Sequence, residues 1–209
     1  MLFRLRLREN AYSDFTAIAA SLAKILRLIL FAACSLLCAG TVARAQSQTL
    51  SEAQIKAGFI FNFTKFVEWP PEAFADSEAP IELGILGDNP VTELLTETAI
   101  GKTVNGRAVI VHRFKEGQDP RICQILFVSS SQESHVLQIL ERVKGLPILT
   151  VSETNGFAQS GGMINFFVEG NKVRLEINLD AAVRARLKIS SKVIAVARLL
   201  SGEPPRGKP

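Results

Sequence analysis

The 209-residue chain carries 24 basic and 20 acidic side chains, a formal charge of +4, with 47% apolar residues and three cysteines. Six of the basic groups (Arg4, Arg6, Arg8, Lys24, Arg27, Arg44) and two of the acidic ones (Glu9, Asp14) fall within residues 1–45, so 18 of each sign lie beyond that point. That remainder is neutral, which excludes the nucleic acid or anionic membrane surface that the overall charge suggests as a partner.

Residues 1–45 read as a cleavable secretory signal. A basic stretch ends at Lys24 and Arg27, the apolar run Leu28–Ala39 follows, and Ala43-Arg44-Ala45 fits the small-x-small rule before Gln46. A membrane anchor needs about 20 apolar residues, more than this run supplies. Cys34 and Cys38 are poor lipidation sites, since Cys34 sits inside the apolar run and Cys38 follows the bulky Leu37. The basic stretch is long, and a start nearer residue 20 would be more conventional. Cleavage near Ala45 would send the protein to the periplasm and remove both of these cysteines. Cys123 then stands alone, and no intramolecular disulfide is possible in an oxidising compartment. Its setting, Ile122–Val128 (ICQILFV), marks it as a buried small hydrophobe. The expected organisation is a signal peptide over 1–45, a single α/β domain over 46–201 and a frayed Pro/Gly-rich tail over 202–209.

In chain order, Ser51-Glu52-Ala53-Gln54 has capping-box spacing, and Ile55, Phe59, Phe63 and Phe66 recur at helical intervals, which predicts a helix over about 52–67. Trp69-Pro70-Pro71 ends it. Ile81–Leu86 is a buried strand, followed by Gly87-Asp88-Asn89-Pro90 and a helix over about 91–99. Asn105-Gly106 marks a turn before a strand at Ala108–Phe114. Ile125–Val128 is a third strand, running into Ser129-Ser130-Ser131, and Gln132–Val143 has helical periodicity. Leu146–Val151 is a fourth strand. Met163–Val168 and Val173–Ile177 form a hairpin about Glu169-Gly170-Asn171-Lys172, and one or two helices over about 179–200 finish the domain. Strands alternating with helices predict a mostly parallel sheet flanked by helices, with an antiparallel hairpin toward the C-terminus. In such sheets ligands sit beyond the carboxyl ends of strands, here Gly87–Asn89, Ser129–Ser131 and Ser152–Gly156.

No catalytic constellation stands out. His112 and His135 lie at no metal-ligand spacing from a second histidine or cysteine, so neither metal nor cofactor is expected. A hydrolase built on one of Ser129–Ser131 would need one of these histidines as base, and the G-x-S-x-G elbow is absent. Gly84-Ile85-Leu86-Gly87-Asp88 lacks the third glycine of a dinucleotide fingerprint and reads as a tight turn, and Gly161-Gly162 reads as a turn or bulge.

Two features invite a binding function. Alternation along Val173–Asn178 places Arg174, Glu176 and Asn178 on one face, either a solvated surface or a patch for an anionic or zwitterionic small molecule. The first helix carries more aromatic surface than one face can hold. Phe59, Phe63, Phe66 and Trp69 are either wholly buried or partly offered to a protein partner.

The segments IKAGFIFNFTKFVEWP (Ile55–Pro70), LGILGDNP (Leu83–Pro90), GKTVNGRAVIV (Gly101–Val111), LFVSSS (Leu126–Ser131), PILTVSETNGFAQSGGMINFF (Pro147–Phe167) and VRLEINLDAAVRARLKISSKVIAVARL (Val173–Leu199) together resemble the YfiR-like family of exported bacterial proteins. The resemblance implies an α/β sandwich without enzymatic activity that forms a homodimer. It implies a regulator that binds and represses the periplasmic sensory domain of an inner-membrane diguanylate cyclase, and so acts on cyclic di-GMP and biofilm formation. Sensor kinases are further partners in the family. The disulfides of its best understood member have no counterpart here. Small-molecule binding near the last hairpin, also implied, falls on Arg174 and Glu176. The alternative reading is a free periplasmic small-molecule-binding protein, for which one domain of this size is small.

Overall fold

The computed structural model describes residues 51–115 and 117–200. The expected signal peptide, its cleavage point and the tail lie outside the described residues.

Helix α1 spans Glu52–Phe66. Its start is the capping box read from the sequence: Gln54 N donates to Ser51 Oγ at 3.2 Å, and Ser51 N donates to Gln54 Oε1 at 2.7 Å. Ser51→Ala is therefore expected to lower stability by about 1 kcal/mol in thermal denaturation. The helix ends where Val67 turns extended, and Val67–Glu68 (β1) pairs antiparallel with Lys188–Ile189 (β9).

The main sheet contains β2 (Ile81–Leu86), β3 (Thr103–Val104), β4 (Arg107–Phe114), β5 (Ile125–Val128), β6 (Leu149–Ser152), β7 (Ile164–Glu169), β8 (Lys172–Ile177) and β10 (Ala197–Leu199). Their order is β10-β8-β7-β6-β5-β2-β4-β3. The run β4-β2-β5-β6-β7 is parallel throughout, and β7–β8 is the expected antiparallel hairpin. The winding reverses between β2 and β5, the position at which open α/β sheets bind ligands.

Period-2 alternation in the central strands feeds two cores. Leu83, Ile85, Ile125, Phe127, Leu149 and Val151 face α1, helix α2 (Val91–Ala99) and the C-terminal helices α4 (Leu179–Arg184) and α5 (Ser191–Ile194). Leu86, Leu126 and Val128 face the opposite side, where helix α3 (Val136–Arg142) packs with Phe157. The strands are apolar on both faces because both faces are covered.

Three expectations need correction. The helix predicted over 132–143 is a 3-10 segment, Ser130–His135, followed by the shorter α3. Gln132 (φ −104°, ψ 17°) breaks the helical path, and Ser129 Oγ ties the entry by accepting from Ser131 N. The strand predicted from Leu146 begins at Leu149, because Pro147 has no N–H to give a ladder and Ile148 N turns back to Leu146 O. The stretch 179–200 is not all helix, since it also supplies β9 and the edge strand β10, which pairs parallel with β8.

Candidate functional site

The sheet forks at its carboxyl edge. Strands β6 and β7 share only the pairs Val151–Ile164 and Ser152–Asn165, whereas the β7–β8 ladder runs on to Glu169–Lys172. The hairpin thus projects past the end of β6. Its tip is set by Gly170 (φ 55°) and Asn171 (φ 58°), both in the left-handed region that a two-residue I′ turn requires. The fork opens a cleft of about 550 Å³, bounded by the first turns of α1, the loop after β6, and β7, β8 and β10.

One bank of the cleft is an ionic knot. Lys56, 6% exposed, donates through Nζ to Glu52 Oε1 and Glu153 Oε2, each at 2.5 Å. The other oxygen of Glu153 accepts from Asn89 Nδ2 at 2.5 Å and Ser130 Oγ at 3.1 Å. Glu153 thereby gathers α1 and the ends of β2, β5 and β6 at one carboxylate. Burial disfavours both charges, but the pairing outweighs it. Hydrogen bonds and charge from Glu153 and Glu52 hold the Lys56 pKa above its ordinary value, and those from Lys56, with Ser130 and Asn89, hold Glu153 below its own.

The other bank is a row across three strands. Asn165, Glu176 and Arg198 stand in register on β7, β8 and β10. Glu176 is 3% exposed; its Oε1 accepts from Arg198 Nε at 3.0 Å and lies 2.8 Å from Nη2 of the same guanidinium, and its Oε2 accepts from Gln159 Nε2 at 2.9 Å. The Arg198 guanidinium lies 4.4 Å from the centre of the Phe167 ring. Asn165 is as buried as Glu176, and its Oδ1 is the one buried side-chain oxygen or nitrogen among the described residues that lacks a hydrogen-bond partner.

Of the polar trio expected on β8, Glu176 alone enters the cleft. Arg174 is exposed and lies 3.7 Å from Glu169 across the hairpin. Asn178 does not continue the row, because β8 ends at Ile177. Its Oδ1 caps α4 by accepting from Ala181 N at 3.0 Å, and its Nδ2 donates to Ala158 O at 2.9 Å. The guanidinium beside Glu176 comes from Arg198 rather than Arg174. Lys56, Glu153, Asn165 and Arg198 were not singled out from the sequence. A lysine on a helix otherwise rich in aromatic residues and an asparagine inside Met163–Val168 are the signals that point to two of them.

Among the aromatic residues of the N-terminal region, Phe63 is 1% exposed and forms a cluster with Phe59 and Phe166, with ring centres 6.1–6.4 Å apart. Phe59, Phe66 and Trp69 are half-buried against the main core, and Trp69 Nε1 donates to Gln124 O at 3.1 Å.

Two of the three hydroxyls considered for nucleophilic chemistry have structural work. Ser129 is fully buried and donates to Asp88 O at 2.8 Å, Ser130 donates to Glu153, and His112 pairs with Glu82. Among the described residues no cluster of three or more His, Cys, Asp or Glu side chains is placed to hold a metal. Burial pushes the Cys123 thiol up to about 12, so it stays protonated. A larger depression, about 930 Å³, lies by the ends of β2 and β4, but Asp88, Glu93, Arg113 and Lys115, its charged lining, are all exposed. The buried charged groups, Lys56 and Glu176, line the fork instead.

The family model of the YfiR/HmsC-like proteins matches residues 53–198, from the second residue of α1 into β10. This match takes in most of the chain and both banks of the cleft except for Glu52 at the start of α1, and the chain belongs to the YfiR/HmsC-like family.

Proposed function

We propose that the protein is a non-enzymatic periplasmic regulator, acting as a homodimer, that docks on the periplasmic sensory domain of an inner-membrane diguanylate cyclase or sensor kinase and represses it. The observation that carries this reading is the family match over residues 53–198, since the family is one of periplasmic regulators of diguanylate cyclases. Among the described residues no helix is long and apolar enough to cross a membrane.

The half-buried aromatic residues of the N-terminal region are the proposed contact. Phe59, Phe66 and Trp69 are half-buried, and the Phe63 ring backs Phe59. Aromatic anchors backed by a packed core lose little freedom on binding, which is why they dominate interface energetics. In a pull-down from detergent-solubilised membranes, the tagged protein is expected to recover a signalling protein with a periplasmic domain. Phe66→Ser is expected to weaken that recovery at least tenfold while leaving circular dichroism unchanged. Recovery of no such protein, or recovery indifferent to Phe66→Ser and Phe59→Ser, would count against the reading.

The forked cleft favours a second reading, a periplasmic small-molecule-binding protein, because a buried acceptor without a partner costs stability unless something fills it.

A further inference from the structure

We infer that strand β4 pairs edge to edge with β4 of a second copy of this chain, antiparallel, about a twofold axis at His112. The inference rests on the homodimer of the reading above and names the surface and register that would build it.

Strand β4 is an open edge over most of its length. On its inner side it pairs with β2 from Val109 to Phe114, whereas on its outer side β3 covers only Arg107 and Ala108. Among the described residues no strand pairs beyond Ala108 on that side. Val109 N points outward, since it donates to Lys102 O at 3.1 Å. Backbone groups alternate in direction along a strand, so Val111 and Arg113 also turn N–H and C=O outward, where no strand meets them. The run closes at Lys115, whose N donates to Gln118 Oε1 at 2.6 Å and whose O accepts from Gln118 N at 3.1 Å. An edge of this kind is a template for another strand.

The open groups are self-complementary in one twofold register. Pairing Val111 with Arg113 of the second copy, and Arg113 with its Val111, makes four hydrogen bonds and uses every open N–H and C=O. Val111 against Val111 would set Arg113 against Val109, which already serves Lys102. Arg113 against Arg113 would set Val111 against Lys115, which is closed on Gln118. In the remaining register His112 faces His112 and Ile110 faces Phe114. Ile110, 41% exposed in one copy, thereby gains an aromatic cross-strand partner. The charges permit the approach. Arg113 Nη1 lies 3.2 Å from Glu93 Oε1, and His112 pairs with Glu82, so each enters beside its own carboxylate. The contact uses the same patch on both copies, as closed twofold dimers do.

The experiment is cysteine cross-linking of the purified protein with diamide, read on non-reducing gels beside the mass from analytical ultracentrifugation. Residues facing each other at a non-hydrogen-bonded position have Cα atoms about 4.5 Å apart, within disulfide reach. His112→Cys is therefore expected to give a covalent dimer. Ile110→Cys is expected to give none, because its two copies would stand four residues out of register, roughly 13 Å apart. Ile110→Cys/Phe114→Cys is expected to cross-link again. The parent is the control, since Cys123 is 2% exposed. Arg113→Pro removes an N–H that points away from β2 and leaves that ladder intact. It is expected to raise the dimer dissociation constant at least tenfold with circular dichroism unchanged, and the cysteine variants keep the test open if it fails to fold. A dimer by mass whose His112→Cys form does not cross-link, or whose Ile110→Cys form cross-links as well, would overturn the inference and leave the homodimer standing. So would a folded Arg113→Pro that dimerises like the parent. A monomer at every concentration would overturn both.

Discussion

Glu153→Ala is expected to lower the unfolding free energy by about 3 kcal/mol in urea denaturation, the usual cost of leaving one partner of a buried ion pair uncompensated. The Lys56 ammonium, 6% exposed, would keep only Glu52, whose side chain is 54% exposed. Asn89 and Ser130 would lose their acceptor in the same step, so the ends of β2 and β5 would come untied from the loop after β6. The combined variant Lys56→Met/Glu153→Leu is expected to recover more than half of the loss, because it removes both charges and fills the space with apolar atoms. The pair also sets a pH dependence with a definite sign. Glu153 has its pKa lowered from 4.5 in the folded state, so its contribution is present above pH 4.5 and is lost as pH falls through the folded value. Lys56 is raised from 10.5, so its contribution is present below pH 10.5 and is lost as pH rises through the folded value. Stability measured against pH should lose its acid limb selectively in Glu153→Gln. An acid limb identical in parent and variant would show that other carboxylates govern it.

Gly162→Ala should cost nearly as much, about 3 kcal/mol, through crowding rather than through lost contact. A Cβ on residue 162 would lie 2.2 Å from Phe157 Cε1 and 2.3 Å from its Cδ1, inside any tolerable separation. The ring cannot swing away, because Phe157 is 1% exposed and packs with Leu126, Val128, Ile139 and Val143. Gly162 N also donates to Phe157 O at 3.0 Å, which fixes backbone and ring together. The loop between them carries Gln159, so the same change is expected to loosen the bond to Glu176. Thermal denaturation checks the first effect. Restoration of stability in Gly162→Ala/Phe157→Leu would identify the ring as the obstacle.

The sequence was most legible where one physical signal acted locally. Capping-box spacing placed the start of α1, apolar runs placed β2 and β5, and Glu169-Gly170-Asn171-Lys172 placed the hairpin turn. The short strands β3, β9 and β10 were missed, because two or three residues carry no period and their pairing comes from distant segments. The cleft was half legible. The carboxyl-end rule pointed to Ser152–Gly156, where Glu153 lies, and alternation put Glu176 on a polar face. The partners of those two carboxylates, Lys56 and Arg198, are 97 and 22 residues away, and spacing along a chain holds no trace of such meetings. Asn178 misled for a local reason, since alternation does not announce where a strand stops and a helix cap begins.

The fork in the sheet has a mechanical side. Two rungs join the projecting hairpin to β6, a narrow bridge for the whole C-terminal part of the sheet. Helix α1 straddles that gap, anchored to one bank by Lys56 on Glu153 and to the other by Phe59 and Phe63 on Phe166. It is a second tie between the two banks, added to the two rungs of the sheet.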